Sequence, residues 1–243
     1  MKRLLNTLFP GLLSSRSQNV TVTRDGLTYH QDTNKPVTGI VEEFHENGQL
    51  MGRGNFIDGK REGLFEYFHD NGQLKERGNF IDGKGDGLYE YFHEKTGQLW
   101  LRSNWIDGKQ DGLEELFYKD GQLRERQNYI DGKLDGLREG FYEDGRLSER
   151  ENYKDGKRDG LYEWFHENGQ LEIRGNFKND ELILYQTFDQ EGDPLKDLTF
   201  TDGKKTGVEV TFHDNGQLEY RETYKNGELE GLQEEFYENG QLQ

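Results

Sequence analysis

The chain has 243 residues, 48 of them acidic against 31 basic, and a net charge of −17. That balance opposes contact with nucleic acid or an anionic membrane and favours a basic protein as partner. Hydrophobic residues reach only 30%, yet aromatics reach 13% and 32 glycines face 3 prolines, which opposes a disordered chain and is better explained by a thin repeat structure.

Residues 1–18, MKRLLNTLFPGLLSSRSQ, carry Lys2 and Arg3 ahead of an apolar stretch from Leu4 to Leu13. Asn6, Pro10 and Gly11 interrupt that stretch, and no small-x-small cleavage site follows, so the segment reads as a tail or a weak signal. The expected location is cytoplasmic, with the envelope or secretion as the alternative if residues 1–18 act as a signal. Nothing approaches the roughly 20 apolar residues that span a bilayer. Residues 19–38 form a leading half-repeat.

From there the sequence repeats. Opening glycines stand at Gly39, Gly63, Gly87, Gly112, Gly136 and Gly160, giving six repeats over 39–182. A degenerate repeat over 183–206 opens on Ile183, and one and a half regular repeats over 207–243 open on Gly207 and Gly231. The period is 24 residues, lengthened to 25 by Lys95-Thr96 and shortened to 23 before Ile183. In GLFEYFHDNGQLKERGNFIDGKGD, Asn71-Gly72 and Asp82-Gly83 separate two β-rich runs, so each unit is two strands and two turns. A three-residue loop with a left-handed glycine and a G1 bulge would set Phe44 opposite Leu50 and Phe68 opposite Leu74.

Counting each opening glycine as zero, the recurrent apolar positions +1, +5, +11 and +17 (Leu64, Phe68, Leu74, Phe80) are all odd. Parity places them on one face, and with them the glutamate column Glu42, Glu66, Glu90, Glu115, Glu139, Glu163 and Glu234. The other face receives the arginine column Arg53, Arg77, Arg102, Arg126, Arg150, Arg174 and Arg221, with the aromatic set Phe65, Tyr67, Tyr89, Tyr91, Tyr162 and Trp164. The fold class is all-β: a single-layer antiparallel sheet of tandem hairpins, an elongated ribbon with right-handed twist. The final strand, Gly231 to Gln243, is an edge able to pair with another chain.

Units of the form G-L-x-E-x-F-x-x-N-G-x-L-x-x-x-x-x-F-x-x-G-K resemble the MORN repeat variant. RDGLTYHQDTNKPVTGIVEEFHENGQL, Arg24 to Leu50, resembles the opening of YwqK-type antitoxins. The resemblance covers Arg24 to Gln243 and implies a tandem-hairpin fold. It further implies an antitoxin or immunity-like role in which the chain occludes a protein partner, a basic toxin being the type that the charge suits. The alternative is a MORN scaffold at a membrane or cell envelope.

The repeated residues suggest no chemistry. His45, His69, His93, His166 and His213 occupy position +6, but equivalent residues two strands apart stand about 10 Å from one another, too far to share a metal. Tyr118, Tyr142 and Tyr237 fill the same slot, which suits a hairpin wall. The glutamates form a regular array without a pocket around any pair, as structural contacts would. The Asp-Gly-Lys turns lack the alternating ligands of a calcium loop, and no phosphate loop, G-x-S-x-G or cysteine nucleophile occurs. The expectation is a non-enzyme without cofactor or metal. The aromatic set Phe65, Tyr67, Tyr89, Tyr91, Tyr162 and Trp164 varies from unit to unit and is the candidate partner-binding surface. Rings stacking on one another to stabilise a single sheet would leave the same pattern. The degenerate unit, with Pro194 after its turn, reads equally as a hinge or as drift.

Overall fold

The computed structural model describes residues 21–213 and 215–243; the tail expected at residues 1–18 lies outside them. Among the described residues every regular element is a strand, and two compact units divide between Gly87 and Leu88. In the first, β1 (Thr21–Arg24) and β2 (Leu27–His30) form a hairpin. β3 (Gly39–Phe44), β4 (Leu50–Ile57), β5 (Lys60–Phe68) and β6 (Leu74–Ile81) form an antiparallel ladder beside it. β7 (Lys84–Phe92) carries the division.

The second unit continues with β8 (Leu99–Ile106), β9 (Lys109–Phe117), β10 (Leu123–Ile130), the short β11 (Lys133–Leu134) and β12 (Gly136–Phe141). Then come β13 (Leu147–Lys154), β14 (Lys157–Phe165), β15 (Leu171–Lys178), β16 (Glu181–Phe188) and β17 (Pro194–Thr201). β18 (Lys204–Phe212), β19 (Leu218–Lys225) and β20 (Glu228–Glu235) complete it. From β8 to β20 each strand pairs antiparallel with the next, β11 and β12 sharing β10.

The Asn-Gly turns follow the sequence reading. His45 N–H donates to Gln49 O at 2.8 Å, Gly48 N–H donates back to His45 O at 2.9 Å, and Gly48 sits at φ +83°. Phe44 faces Leu50 and Phe68 faces Leu74. In the 25-residue unit His93 N–H reaches Gln98 O, one residue further on, so Lys95-Thr96 is absorbed at the loop tip. The Asp-Gly turns hold two left-handed residues, as at Asp58 (φ +49°) and Gly59 (φ +82°), the type I′ geometry that matches strand twist.

Face parity departs from the sequence reading at Lys75. Phe68 pairs with Leu74, but Tyr67 pairs with Glu76, so one extra residue is accommodated just after the turn. Beyond that bulge the return strand is turned over. Phe80 consequently joins Phe65 and Tyr67, whereas Arg77 joins Leu64, Glu66 and Phe68. The expected inner row is the more exposed one: Leu64 is 53% accessible, Phe65 3%. The core lies on the even-numbered aromatic face, where Phe56, Phe65 and Phe80 meet edge-on with centroids 5.2 and 5.1 Å apart.

A second irregularity explains the opening glycine. Asn55 pairs with Glu62 but Gly54 with Phe65, leaving Gly63 and Leu64 as a two-residue bulge in which Gly63 takes φ +80°. The same step recurs at Ser103/Trp105, Glu151/Tyr153 and Glu222/Tyr224. In the degenerate unit Phe177 pairs with Leu182 and Asn176 with Leu184, so only Ile183 is extra. That missing residue is the period of 23, and Ile183 stands there in place of the glycine. β16 and β17 remain paired on both sides, and Pro194 sits at the bulge opposite Phe188.

Candidate functional site

The repeated side chains tie each hairpin to the next. His45 Nε2 donates to Phe68 O at 2.9 Å, and His213 Nε2 to Phe236 O at 2.7 Å. Tyr118 Oη donates to Phe141 O at 2.6 Å and Tyr142 Oη to Phe165 O at 2.5 Å. In the regular units position +6 therefore carries an aromatic ring with a donor at its far end, which histidine and tyrosine both supply, and only the degenerate unit departs, with Asp189. Asn47 Nδ2 reaches Asp70 O at 2.8 Å in the same row while its Oδ1 accepts from Gln49 N–H. Asn79 and Asn152 Nδ2 satisfy Asp86 O and Leu161 O at the glycine bulges. Among the described residues no group of three or more His, Cys, Asp or Glu is placed to hold a metal ion.

Because of the bulge at Lys75 and its equivalents, glutamate and arginine columns share a face. Arg53 meets Glu66 at 2.6 Å, Arg126 meets Glu139 at 2.5 Å, and Arg102 pairs with Glu115. Glu163, 2% accessible, lies between Arg150 at 2.5 Å and Arg174 at 2.9 Å. Arg102, Arg126 and Arg150 also stack over Phe117, Phe141 and Phe165, 5.6–6.0 Å from the ring centroids. The charge of the glutamates, unexplained by the sequence, is thus balanced by the column expected on the opposite side.

The candidate aromatics divide between the two units. In the first, Phe65 is core rather than a free contact. Its ring lies across Gly54, where an added Cβ would come within 2.2 Å. Tyr67 similarly covers Gly52 and is half-buried, and burial pushes its phenol up from the usual range. The β1–β2 hairpin accompanies this face: Thr21, Thr23 and Thr28 enclose a cavity of about 100 Å³ with Val41, Phe56, Phe65 and Tyr67. In the second unit Tyr89 lies 5.9 Å from Tyr91 and 6.1 Å from Trp105, and Tyr91 lies 5.6 Å from Trp100. Tyr162 stands 5.8 Å from Trp164 and meets Phe177 edge-on, with Trp164 39% accessible.

Between these two aromatic clusters lies a polar centre that the sequence reading did not assemble. Arg138 binds Glu149 at 2.8 Å, Glu125 at 3.0 Å and Glu151 at 3.4 Å. Burial works against its charge, but the three carboxylates outweigh it and hold the guanidinium protonated. Glu114 accepts from Gln110 at 2.5 Å and Gln127 at 2.6 Å. Tyr153 donates to Glu151 at 2.6 Å, and burial together with that carboxylate pushes its phenol up to about 12. Gly140 supplies the gap: a Cβ there would meet Glu149 Cγ at 2.8 Å. The clue in the sequence was the replacement of aromatics at +2 by Glu114 and Arg138, together with Glu125 and Glu149 at +13.

The MORN repeat variant model matches residues 37–58, 61–82, 110–131, 134–155, 158–179, 205–226 and 229–243, more than half of the chain. The chain belongs to the MORN repeat variant family. The MORN matches omit residues 83–109 and 180–204, which hold the lengthened turn and the unit without an opening glycine. Membership makes this a repeat protein of the binding or scaffolding kind. No curated protein matches the MORN chain. A crystal structure of TarM is similar over 39% of this chain and 20% of its own, at 20% identity and a TM-score of 0.27, too low to bear on fold or function. Among the described residues no helix is long and apolar enough to cross a membrane.

Proposed function

We propose that this MORN protein is a non-catalytic binding protein that acts as an antitoxin or immunity-like factor, covering the working surface of a basic protein partner. The observation that carries the reading is the contrast between the two kinds of position. Hydrogen-bonding residues at the turns repeat from unit to unit, whereas one face of the frame varies: Tyr89, Leu116, Arg138, Trp164. A fixed frame with a variable, half-exposed face rich in Tyr and Trp suits recognition of another protein. The net charge of −17 adds long-range attraction for a basic one.

The test is capture of a partner on the full chain, identification by mass spectrometry, and measurement of affinity against salt. Affinity that falls with salt and weakens in Tyr91→Ala and Trp164→Ala supports the reading. Affinity unchanged in both variants removes the aromatic face from it. A scaffold at a membrane or envelope is the second reading, drawn from Leu88, Ile106, Leu113 and Ile130, which stand exposed on the opposite face. Firm flotation of the chain with anionic liposomes would favour that second reading.

A further inference from the structure

The first unit provides a covered example of the aromatic face. β2 is fastened there by Thr28 N–H donating to Gly59 O at 2.8 Å and Val37 N–H donating to Thr28 O at 2.9 Å. Thr28, Val37, Val41, Phe56 and Phe65 are all buried. A hairpin whose short side chains point at the rings is therefore an occupant that this face accepts, and here it comes from the same chain.

The corresponding face of the second unit is built for an occupant of different charge. Its rings, Tyr89, Tyr91, Trp100 and Trp105 on one side and Tyr162 and Trp164 on the other, are partly accessible. Where the first unit has Phe65, the stretch between them carries Glu114 and Arg138, with Glu125, Glu149 and Glu151 around the Arg138 guanidinium and Arg158 at the margin, beside Tyr153 and over Phe177. Four carboxylates against Arg138 and the marginal Arg158 leave the centre short of positive charge, while the flanking rings are suited to the methylene stems and heads of lysine or arginine. Within this unit each described strand pairs along the ladder with its neighbours, and none lies across the face.

Building on the protein-binding reading above, we infer that the face of the second unit between Trp105 and Trp164 is the docking site, and that its occupant is an extended strand or hairpin of the partner carrying lysine or arginine on alternate residues. Alternation follows from strand geometry: successive side chains point to opposite sides, so every second residue meets the face. The cationic heads enter beside Glu125 and Glu149, and the stems lie on the rings. Arg138 keeps the carboxylates apart and marks where the partner's cation belongs.

All three tryptophans of the chain, Trp100, Trp105 and Trp164, lie at this site and report on it. The probe is a synthetic peptide alternating lysine and valine, titrated into the full chain against an otherwise identical peptide alternating glutamate and valine, with tryptophan fluorescence as readout. The expected result is a saturable change with the lysine peptide alone. Trp164→Ala, and separately Glu125→Gln with Glu149→Gln, should each weaken it about tenfold. Glu191→Gln with Glu238→Gln, equal in charge lost but placed on exposed turns away from the tryptophans, should change it less than about twofold. Equal weakening by the turn variant would show a general polyanion effect and overturn the inference, as would a lysine peptide that leaves the tryptophans unperturbed. A captured natural partner that binds the Glu125/Glu149 variant as tightly as the parent chain would refute this docking site while leaving the protein-binding reading standing.

Discussion

Glu163→Gln removes the negative charge from the most buried glutamate of its column while keeping its shape. In the parent chain the carboxylate takes hydrogen bonds from Arg150 at 2.5 Å and Arg174 at 2.9 Å, joining β13, β14 and β15. Glutamine retains one acceptor oxygen, and its NH2 group meets the second guanidinium as donor against donor. A hydrogen bond to a charged group contributes about 1.5–3 kcal/mol, and breaking a fully buried ion pair costs about 3–5 kcal/mol. Both arginines are more than 40% accessible and can rehydrate, so the lower range applies and a loss of about 1.5–3 kcal/mol is expected. Glu42→Gln is the control, since Glu42 is exposed at the start of the same column and should cost less than about 0.5 kcal/mol. Urea unfolding followed by far-ultraviolet circular dichroism, which reports on the strands of both units, measures both. A Glu163→Gln cost no larger than that of Glu42→Gln would refute the claim that the glutamate–arginine columns hold neighbouring strands together.

Four further outcomes are expected. Gly54→Ala should cost about 1–3 kcal/mol in urea, because the new methyl meets the buried ring of Phe65 at 2.2 Å. Tyr142→Phe should lose about 1 kcal/mol with the 2.5 Å bond to Phe165 O, while Tyr142→His should retain most of the stability; equal costs would contradict the donor role of position +6. Tyr153 is held protonated, its folded value of about 12 lying above the ordinary value of 10.0, so its contribution is complete below pH 10 and lost as pH rises through about 12. Phenolate absorbance should show a late step that Tyr153→Phe removes. The hydrogen bonds to Glu209 from Lys196 and Lys205, both 2.7 Å, lower its carboxyl, so this group stabilises the fold above its unfolded value and the contribution disappears as acid protonates it; Glu209→Gln should flatten that part of the acid limb.

Much of the architecture was legible because it is written in turn chemistry. Asn-Gly and Asp-Gly dipeptides fixed the hairpins, and the pairing of Phe44 with Leu50 followed from loop length alone. Face assignment failed at one residue per unit, Lys75 and its equivalents. A bulge there depends on the cross-strand fit of glutamate with arginine and of rings with glycine, and no single position announces it. The same error separated Arg77 from Glu66 and Phe80 from Phe65. The histidine column was read correctly as architectural, but its partner, a carbonyl in the next repeat, is about 23 residues away and invisible to local pattern. Tyr89, Tyr91, Tyr162 and Trp164 were legible as a variable face; the Arg138 network was not, because its members come from four strands and share no motif.

Recognition is proposed for the aromatic and acidic face of the second unit. The most direct measurement compares the affinity of the captured partner for the parent chain, for Trp164→Ala and for Leu113→Ala, the last on the exposed opposite face. About tenfold weaker binding is expected for Trp164→Ala and little change for Leu113→Ala. Weakening confined to Leu113→Ala would place recognition on the other face and contradict the proposal.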